Sequence, residues 1–297
     1  MATQVTTAPV AAPRTGTRRR RRTPEGGRIN WGLTIIIAIV SLIILLPLYF
    51  AIAMALKSPA QTGTGTGFNF PWPIHWGNFR AAWDLTDFPL AFSMSVLVTV
   101  IAVAGEILVS SLAAWSIVRN WHHWQFRATF IYLMLALFIP FPVVALPQVK
   151  LTAAIGLDNP FGVAILHIMF QLAFNVLLFA AYIRSIPVEL EESARIDGCT
   201  TWQTFRKVVL PLLAPIAATV GIFAFLQSWT DFMMPQLITA NPKWQTIPVV
   251  QYLFQDQFTT NFNVAFASYL MALLPTLVVF LIAQRWVVSG IMRGSIK

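Results

Sequence analysis

Apolar residues in this chain gather into long runs with few polar interruptions, unlike the half-polar faces of a soluble helix. Six windows are long enough to cross a bilayer, which takes about 20 helical residues. They run approximately over 31–56, 88–118, 128–149, 159–183, 208–230 and 264–284. Glu106, in the second, is the one Asp, Glu, Lys or Arg inside any of them. The pattern predicts an all-α integral membrane fold with six transmembrane helices. Ala51, Ala53 and Ala55 offer small-residue positions like those of a signal cleavage site. The first window is nevertheless much longer than a signal's apolar core of about 7–15 residues, so a retained helix is expected.

Composition agrees. Hydrophobic residues make up 57% of the 297 and charged residues 10%, where a soluble chain carries about 25% charged. Mean hydropathy is +0.69. So few charges cannot cover a water-facing surface, and the remaining surface must face lipid. The net charge of +9 points to nucleic acid only until it is placed along the chain. Seven of the 20 basic residues are Arg14, Arg18 to Arg22 and Arg28. They lie in a 1–30 tail otherwise built of Thr, Pro, Ala and Gly, which is expected to be disordered. A basic tail directly before a long apolar run reads as a topology signal and an attractor of anionic lipid, with no nucleic-acid partner. The domain expected after it spans 31–297. Cys199, the single cysteine, excludes an internal disulfide and a cysteine metal cluster.

Orientation follows from the basic residues between windows. With the N-terminus inside, the inner segments hold 16 of them and the outer segments only Lys57, Arg80, Lys150 and Lys243. That bias predicts both termini in the cytoplasm. The outer segments 57–87 and 231–263 contain Trp72, Trp76, Trp83 and Trp244. Such rings suit the membrane–water boundary and also suit stacking on sugars. The Gly-Thr-Gly-Thr-Gly stretch at 63–67 reads as a flexible loop, since no Lys follows to make a phosphate-binding loop.

The inner segment 185–215 carries the most information. Ser185 is placed to cap a short helix, with Pro187 in its first turn. Glu189, Glu191 and Glu192 sit near the positive end of that helix's dipole. Gly198 can take the left-handed conformation that closes it. Ile186, Leu190, Ser193, Ala194 and Asp197 then share one face, and Thr200 or Thr201 can cap the next helix. An ordered elbow with a small, partly apolar face suggests a docking helix for a partner protein.

The spacing Glu192-Ser193-Ala194, three residues, Gly198, nine residues, Val208, one residue, Leu210-Pro211 resembles the "EAA" signature of binding-protein-dependent ABC importer permeases. Ser193 stands for Ala and Val208 for Ile. Asp197-Gly198 and the stretch Trp202 to Phe205 resemble the carbohydrate-uptake branch, in particular its maltose-type second permease subunit. Trp229-Thr230-Asp231 and the run Gln284 to Gly290 add to the likeness, which covers roughly 30–297. The chain departs from the branch at Met94-Ser95, where Asn-Ser is common, and at Trp115 in Ala113-Ala114-Trp115, where Tyr is common.

The resemblance implies a coupling helix between spans 4 and 5 that sits in a cleft of a separate ATPase. Glu192, Ser193, Ala194, Asp197, Gly198 and Leu190 would make that contact. It implies a homologous permease subunit as heterodimer partner, two ATPase subunits and a solute-binding protein that delivers the sugar from outside. No Walker sequence is present, so ATP and Mg belong to the partner ATPase. This chain is then a transport subunit of the cytoplasmic membrane, not itself an enzyme, and binds no cofactor.

Polar groups inside apolar spans are costly and turn toward the protein interior or a wet cavity. The candidates for the substrate path are Glu106, His167, Gln171, Asn175 and Gln227, joined by Trp229. His167, Gln171 and Asn175 are spaced i, i+4, i+8, a stripe that can bond sugar hydroxyls or a neighbouring helix. Glu106 is open to protonation, pairing or substrate contact, and Asp231 is expected to cap or anchor the outer end of the fifth helix. Pro140, Pro142 and Pro147 are expected to interrupt the third span, and Pro211 and Pro215 to break the start of the fifth. Two other classes compete. A secondary transporter needs coupling residues in its spans, and here there is one lone acid. A membrane-embedded transferase needs an acid cluster or metal ligands, and the adjacent His122-His123 make a poor chelating pair. A non-sugar cargo such as a glycerol phosphate ester also stays open.

Overall fold

The computed structural model describes residues 30–257 and 261–294. The basic run of the tail and the expected disorder of residues 1–29 lie outside the described residues. The side chains of Arg285 to Gly290, which contributed to the family likeness, do too. Two units are distinguished, Met1–Leu46 and Pro47–Lys297. In the first, the described part is the start of helix α1 (Trp31–Ala55), where Leu33, Ile36, Leu42 and Ile44 are all exposed. In lipid such a face costs nothing, because bilayer tails are as apolar as leucine.

The second unit is built of helices joined by turns and irregular segments, with no strand among its described residues. The rest of α1 is followed by α2 (Pro59–Thr64), α3 (Gly77–Leu85), α4 (Phe88–Arg119), α5 (Trp124–Ala136), α6 (Phe141–Ala154) and α7 (Pro160–Ile183). Then come α8 (Glu189–Ile196), α9 (Thr201–Thr204), a π-helical turn at Phe205–Val209, α10 (Leu210–Leu212) and α11 (Ala214–Thr230). The chain continues through α12 (Met233–Ile238), a 3₁₀ turn at Pro242–Trp244, α13 (Ile247–Gln257) and α14 (Phe262–Gly294).

Among the described residues, α1, α4, α7 and α14 are long and apolar enough to cross a membrane unbroken. Two further pairs qualify if each bent pair is one span: α5 with α6, bent by 106°, and α9–α10 with α11, bent by 77°. The first bend falls just before α6, where Pro140 stands extended as the residue preceding the helix, Pro142 lies in its first turn, and Pro140 disfavours helical backbone at Ile139 before it. Pro147 does not interrupt anything; it sits inside α6. At the second bend, Pro211 and Pro215 supply no N–H to the carbonyls four residues back. The ladder loosens into the π turn and breaks at Leu213.

Helix α4 is the spine, packed most extensively on α7 and then on α11. At Gly105 an added Cβ would run into Ile168 Cδ1, so this side chain of α7 packs directly on the α4 backbone there. One apolar core lies at the elbow end, where Ala114, Trp115 and Ile117 of α4 meet Val176, Phe179 and Ile183 of α7 and Phe205, Val209 and Leu213. A smaller one lies toward the other end, with Val98, Val163, Leu166 and Met234.

The 57–87 segment is more ordered than expected. Gly63 and Thr64 end α2, which Ser58 caps in a reciprocal box with Gln61. The last carbonyls of α1, orphaned as at any helix end, are taken by amides: Asn78 Nδ2 donates to Ala55 O at 2.8 Å and Asn263 Nδ2 to Met54 O at 2.8 Å, while Asn78 Nδ2 also reaches Lys57 O, just past the helix, at 2.7 Å. Lys57 is buried, and its Nζ donates to Thr66 O and Gly67 O. Desolvation holds its pKa below the ordinary lysine value.

Candidate functional site

Two places in the second unit gather chemistry. The first is a cavity of about 390 Å³ between α4, α7 and α11, lined by Glu106, Gln171, Asn175, Gln227, Thr230 and the rings of Phe174 and Phe223, among others. Asn175 Nδ2 donates to Glu106 Oε2 at 2.8 Å. Glu106 and Asn175 are both buried, and Glu106 Oε1 and Gln227 Oε1 have no protein partner. A buried acceptor left unpaired costs about 1–3 kcal/mol. Two of them beside a cavity mark a place where a polar guest gains bonds without displacing protein ones. Glu106, Gln171, Asn175 and Gln227 are thus brought together by three helices.

His167 and Trp229 are not part of that cavity. His167 is fully buried, with Nδ1 3.0 Å from Ser228 Oγ and Nε2 2.8 Å from Asp231 Oδ2, while Ser228 Oγ reaches Thr99 Oγ1 at 3.3 Å. This chain of polar groups ties α7, α11 and α4 together at the end away from the elbow. Asp231, the residue that follows the end of α11, also accepts from Met233 N through Oδ1 at 3.0 Å. The polar stripe of α7 is therefore split: one residue locks helices and two face the cavity. Trp229 stacks on Phe225 and donates its Nε1–H to Ala272 O. It borders a separate apolar groove of about 880 Å³ between α4, α11 and α14, with Val103, Ala218 and Gly221.

The second place is the elbow. Its helix starts later than expected, at Glu189. Ser185 does not cap it; Ser185 Oγ donates back to Tyr182 O, and Pro187 precedes the first turn. Glu189, Glu191 and Glu192 occupy that first turn. Gly198 has φ of +83° and closes the helix, and Thr200 caps the next in a reciprocal box with Gln203. Leu190, Glu192, Ser193, Asp197 and Gly198 are exposed, as is Ile196 at 85%. Ala194, expected on the docking face, is turned into the chain, because the helix lies with that edge on the bundle.

Beside Ala194 is a residue that the sequence placed in the acidic first turn without showing that it turns inward. Glu191 is 3% exposed. Its Oε1 accepts from Arg119 Nε at 2.8 Å, and its Oε2 from Trp115 Nε1 at 3.0 Å. Arg119 Nη2 also donates to Ile186 O at 3.2 Å. Breaking a buried ion pair by removing one partner costs about 3–5 kcal/mol. Nothing in the chain pattern links Glu191 to an arginine 72 residues earlier; the one hint was the tryptophan that replaces the branch's tyrosine at 115. His122 and His123 are exposed in a turn, and their ring centroids lie 3.9 Å apart.

Long apolar helices, a buried polar cavity and an exposed, fastened elbow define a multi-pass membrane protein of the permease type. Residues 106–293 match the family described as the binding-protein-dependent transport system inner membrane component, and the chain belongs to that family. It is 34% identical over 69% of its length, and 76% of the relative's, to the multiple sugar-binding transport system permease protein MsmG of Streptococcus mutans. The diacetylchitobiose uptake system permease protein DasC of Streptomyces coelicolor is 29% identical over 91% of this chain and 98% of its own. In fold the chain is similar to a bacterial ABC transporter involved in import of the acidic polysaccharide alginate, with a TM-score of 0.75 and 22% identity. That match covers 89% of this chain and 99% of the other.

Proposed function

We propose that this chain is one of two permease subunits of an ATP-driven importer for a neutral sugar or oligosaccharide. In this reading it crosses the cytoplasmic membrane six times, each bent pair being one span, with both termini inside. The 1–30 segment is a basic cytoplasmic tail. The elbow helix α8 docks into a partner ATPase through Leu190, Glu192, Ser193, Asp197 and Gly198. ATP and Mg are bound by two such ATPases, a second homologous permease completes the cavity, and an external binding protein delivers the sugar.

The observation that carries the substrate assignment is the cavity around Glu106. Carboxyl, amide and hydroxyl groups bond sugar hydroxyls in either sense, and Phe174 and Phe223 offer faces for the ring's C–H edges. Its lining has no Lys or Arg, so a phosphate ester would meet Glu106 without a compensating cation. That favours sugar over a glycerol phosphate ester, and the sugar relatives support the same choice. The test is reconstitution of this chain with its partner permease, ATPases and binding protein in proteoliposomes. ATP-dependent uptake of a neutral sugar is expected. Ion-gradient-driven uptake by this chain alone would sink the reading.

A further inference from the structure

If α8 docks an ATPase, its displacement must reach the cavity, and the chain offers two routes. The covalent route leaves α8 through Gly198, passes α9 and the π turn at Phe205–Val209, and meets the 77° break at Leu213 before entering α11. A left-handed glycine, a loosened helical ladder and a sharp bend in series make that a compliant path. The second route is through side chains. Glu191 of α8 is held on both carboxylate oxygens by α4, through Trp115 and Arg119, while Arg119 also grips the carbonyl of Ile186 just before α8. Helix α4 then runs unbroken over 32 residues. Glu106 lies nine positions from Trp115, about 13 Å along the rod.

We infer that Glu191, clamped by Arg119 and Trp115, is the internal joint that passes movement of the elbow helix to α4 and so to the Glu106 cavity. This rests on the docking reading of α8. Glu191 is a positioning residue: it faces into the chain, so it is not available to the ATPase, and it lies far from the cavity. The geometry suits a joint. A carboxylate held by a guanidinium on one oxygen and an indole N–H on the other is fixed in direction as well as distance. Trp115 is itself fixed by its ring contact with Phe205, 5.3 Å between centroids. Displacement of α8 is therefore resisted in translation and in rotation, and α4 moves with it.

The test compares docking, hydrolysis and transport in the assembled complex. Glu191→Gln keeps the side-chain shape but loses the charge. It should leave ATPase co-purification and ATP hydrolysis within about twofold of wild type, while sugar moved per ATP falls at least about tenfold. Trp115→Phe keeps an aromatic ring on the Phe205 side but removes the N–H together with part of the indole, so a smaller loss in the same ratio is expected. The exchanged pair Arg119→Glu with Glu191→Arg should recover part of the ratio that either single change loses. Hydrolysis and transport falling in proportion, or a ratio unchanged in Glu191→Gln, would overturn the joint. Poor membrane levels of Glu191→Gln and of Trp115→Phe, with the exchanged pair giving no recovery, would reduce Glu191 to a folding contact and also overturn it. The docking reading fails separately: Glu192→Lys, on the exposed face, would then retain its ATPase.

Discussion

Two residues carry the sharpest expectations because each does one thing. Glu106 accepts from Asn175 and turns its other oxygen to the cavity. Glu106→Gln keeps the acceptor for Asn175 and a polar end toward the guest, so uptake should stay within a few-fold of wild type. Glu106→Leu strands Asn175 Nδ2 and deletes the guest's partner, at about 1–3 kcal/mol for the buried donor alone. Uptake should then fall at least about tenfold, with ATPase recruitment unchanged. Equal uptake in wild type and the leucine variant would remove the cavity from the substrate path. Gly198 is the other. Nothing in this chain lies within 4 Å of where its Cβ would be, so within the subunit substitution meets only the backbone cost of φ +83°. That cost is about 1–2 kcal/mol for an L-residue, more for a branched one and less for Asn. ATPase co-purification should fall in the order Gly198, Asn, Val, at equal membrane levels. Full recovery with Gly198→Val would show that the helix end needs no left-handed closure.

The elements divide into those that hydropathy announces and those it cannot. The windows 88–118 and 159–183 match α4 and α7 to within a residue or so, because a helix in lipid needs only length and apolarity. The windows 128–149 and 208–230 return as bent pairs. Prolines marked both, yet did not say which proline bends: Pro140 and Pro142 start a new helix, whereas Pro147 is absorbed inside α6. Pro140 is extended ahead of the helix and Pro142 removes a first-turn donor that has no partner anyway, whereas Pro147 gives up a ladder bond and α6 still runs through it. Pro147→Ala should therefore leave uptake within about twofold, and Pro140→Ala, which lets α5 extend toward α6, should lower it. Equal effects of the two would mean the break is not set by Pro140. The elbow was legible through its spacing, its acidic first turn and its closing glycine. What could not be read was direction. Glu191 and Glu192 are neighbours of the same type near the same dipole, and only packing separates the one clamped inside from the one left exposed. The α7 stripe shows the same limit: spacing placed His167 with Gln171 and Asn175, and the helix's drift of about 40° every four residues gave them different neighbours.

At the scale of the molecule, basic residues mark the two ends unequally. Arg119, Arg127, Arg184, Arg195, Arg206 and Lys207 cluster where α4, α5, α7 and the elbow meet. At the opposite end Lys57 is buried among carbonyls and Arg80 is paired with Asp84 four residues on. Orientation follows the count of Lys and Arg whether or not acids pair with them, and by that count the elbow end is the richer. Cys199 sits at the elbow, partly exposed, and is the single thiol. A membrane-impermeant maleimide should label it in inverted vesicles and not in intact cells stripped of any wall barrier. Thr64 offers the internal control, since it is exposed at the far end: in a Cys199→Ser background, Thr64→Cys should label from outside alone. Reversal of both patterns would invert the topology and carry the docking reading away with it. Labelling of both sites from one side would show that the spans between α2 and the elbow are not odd in number, so that one bent pair re-enters instead of crossing.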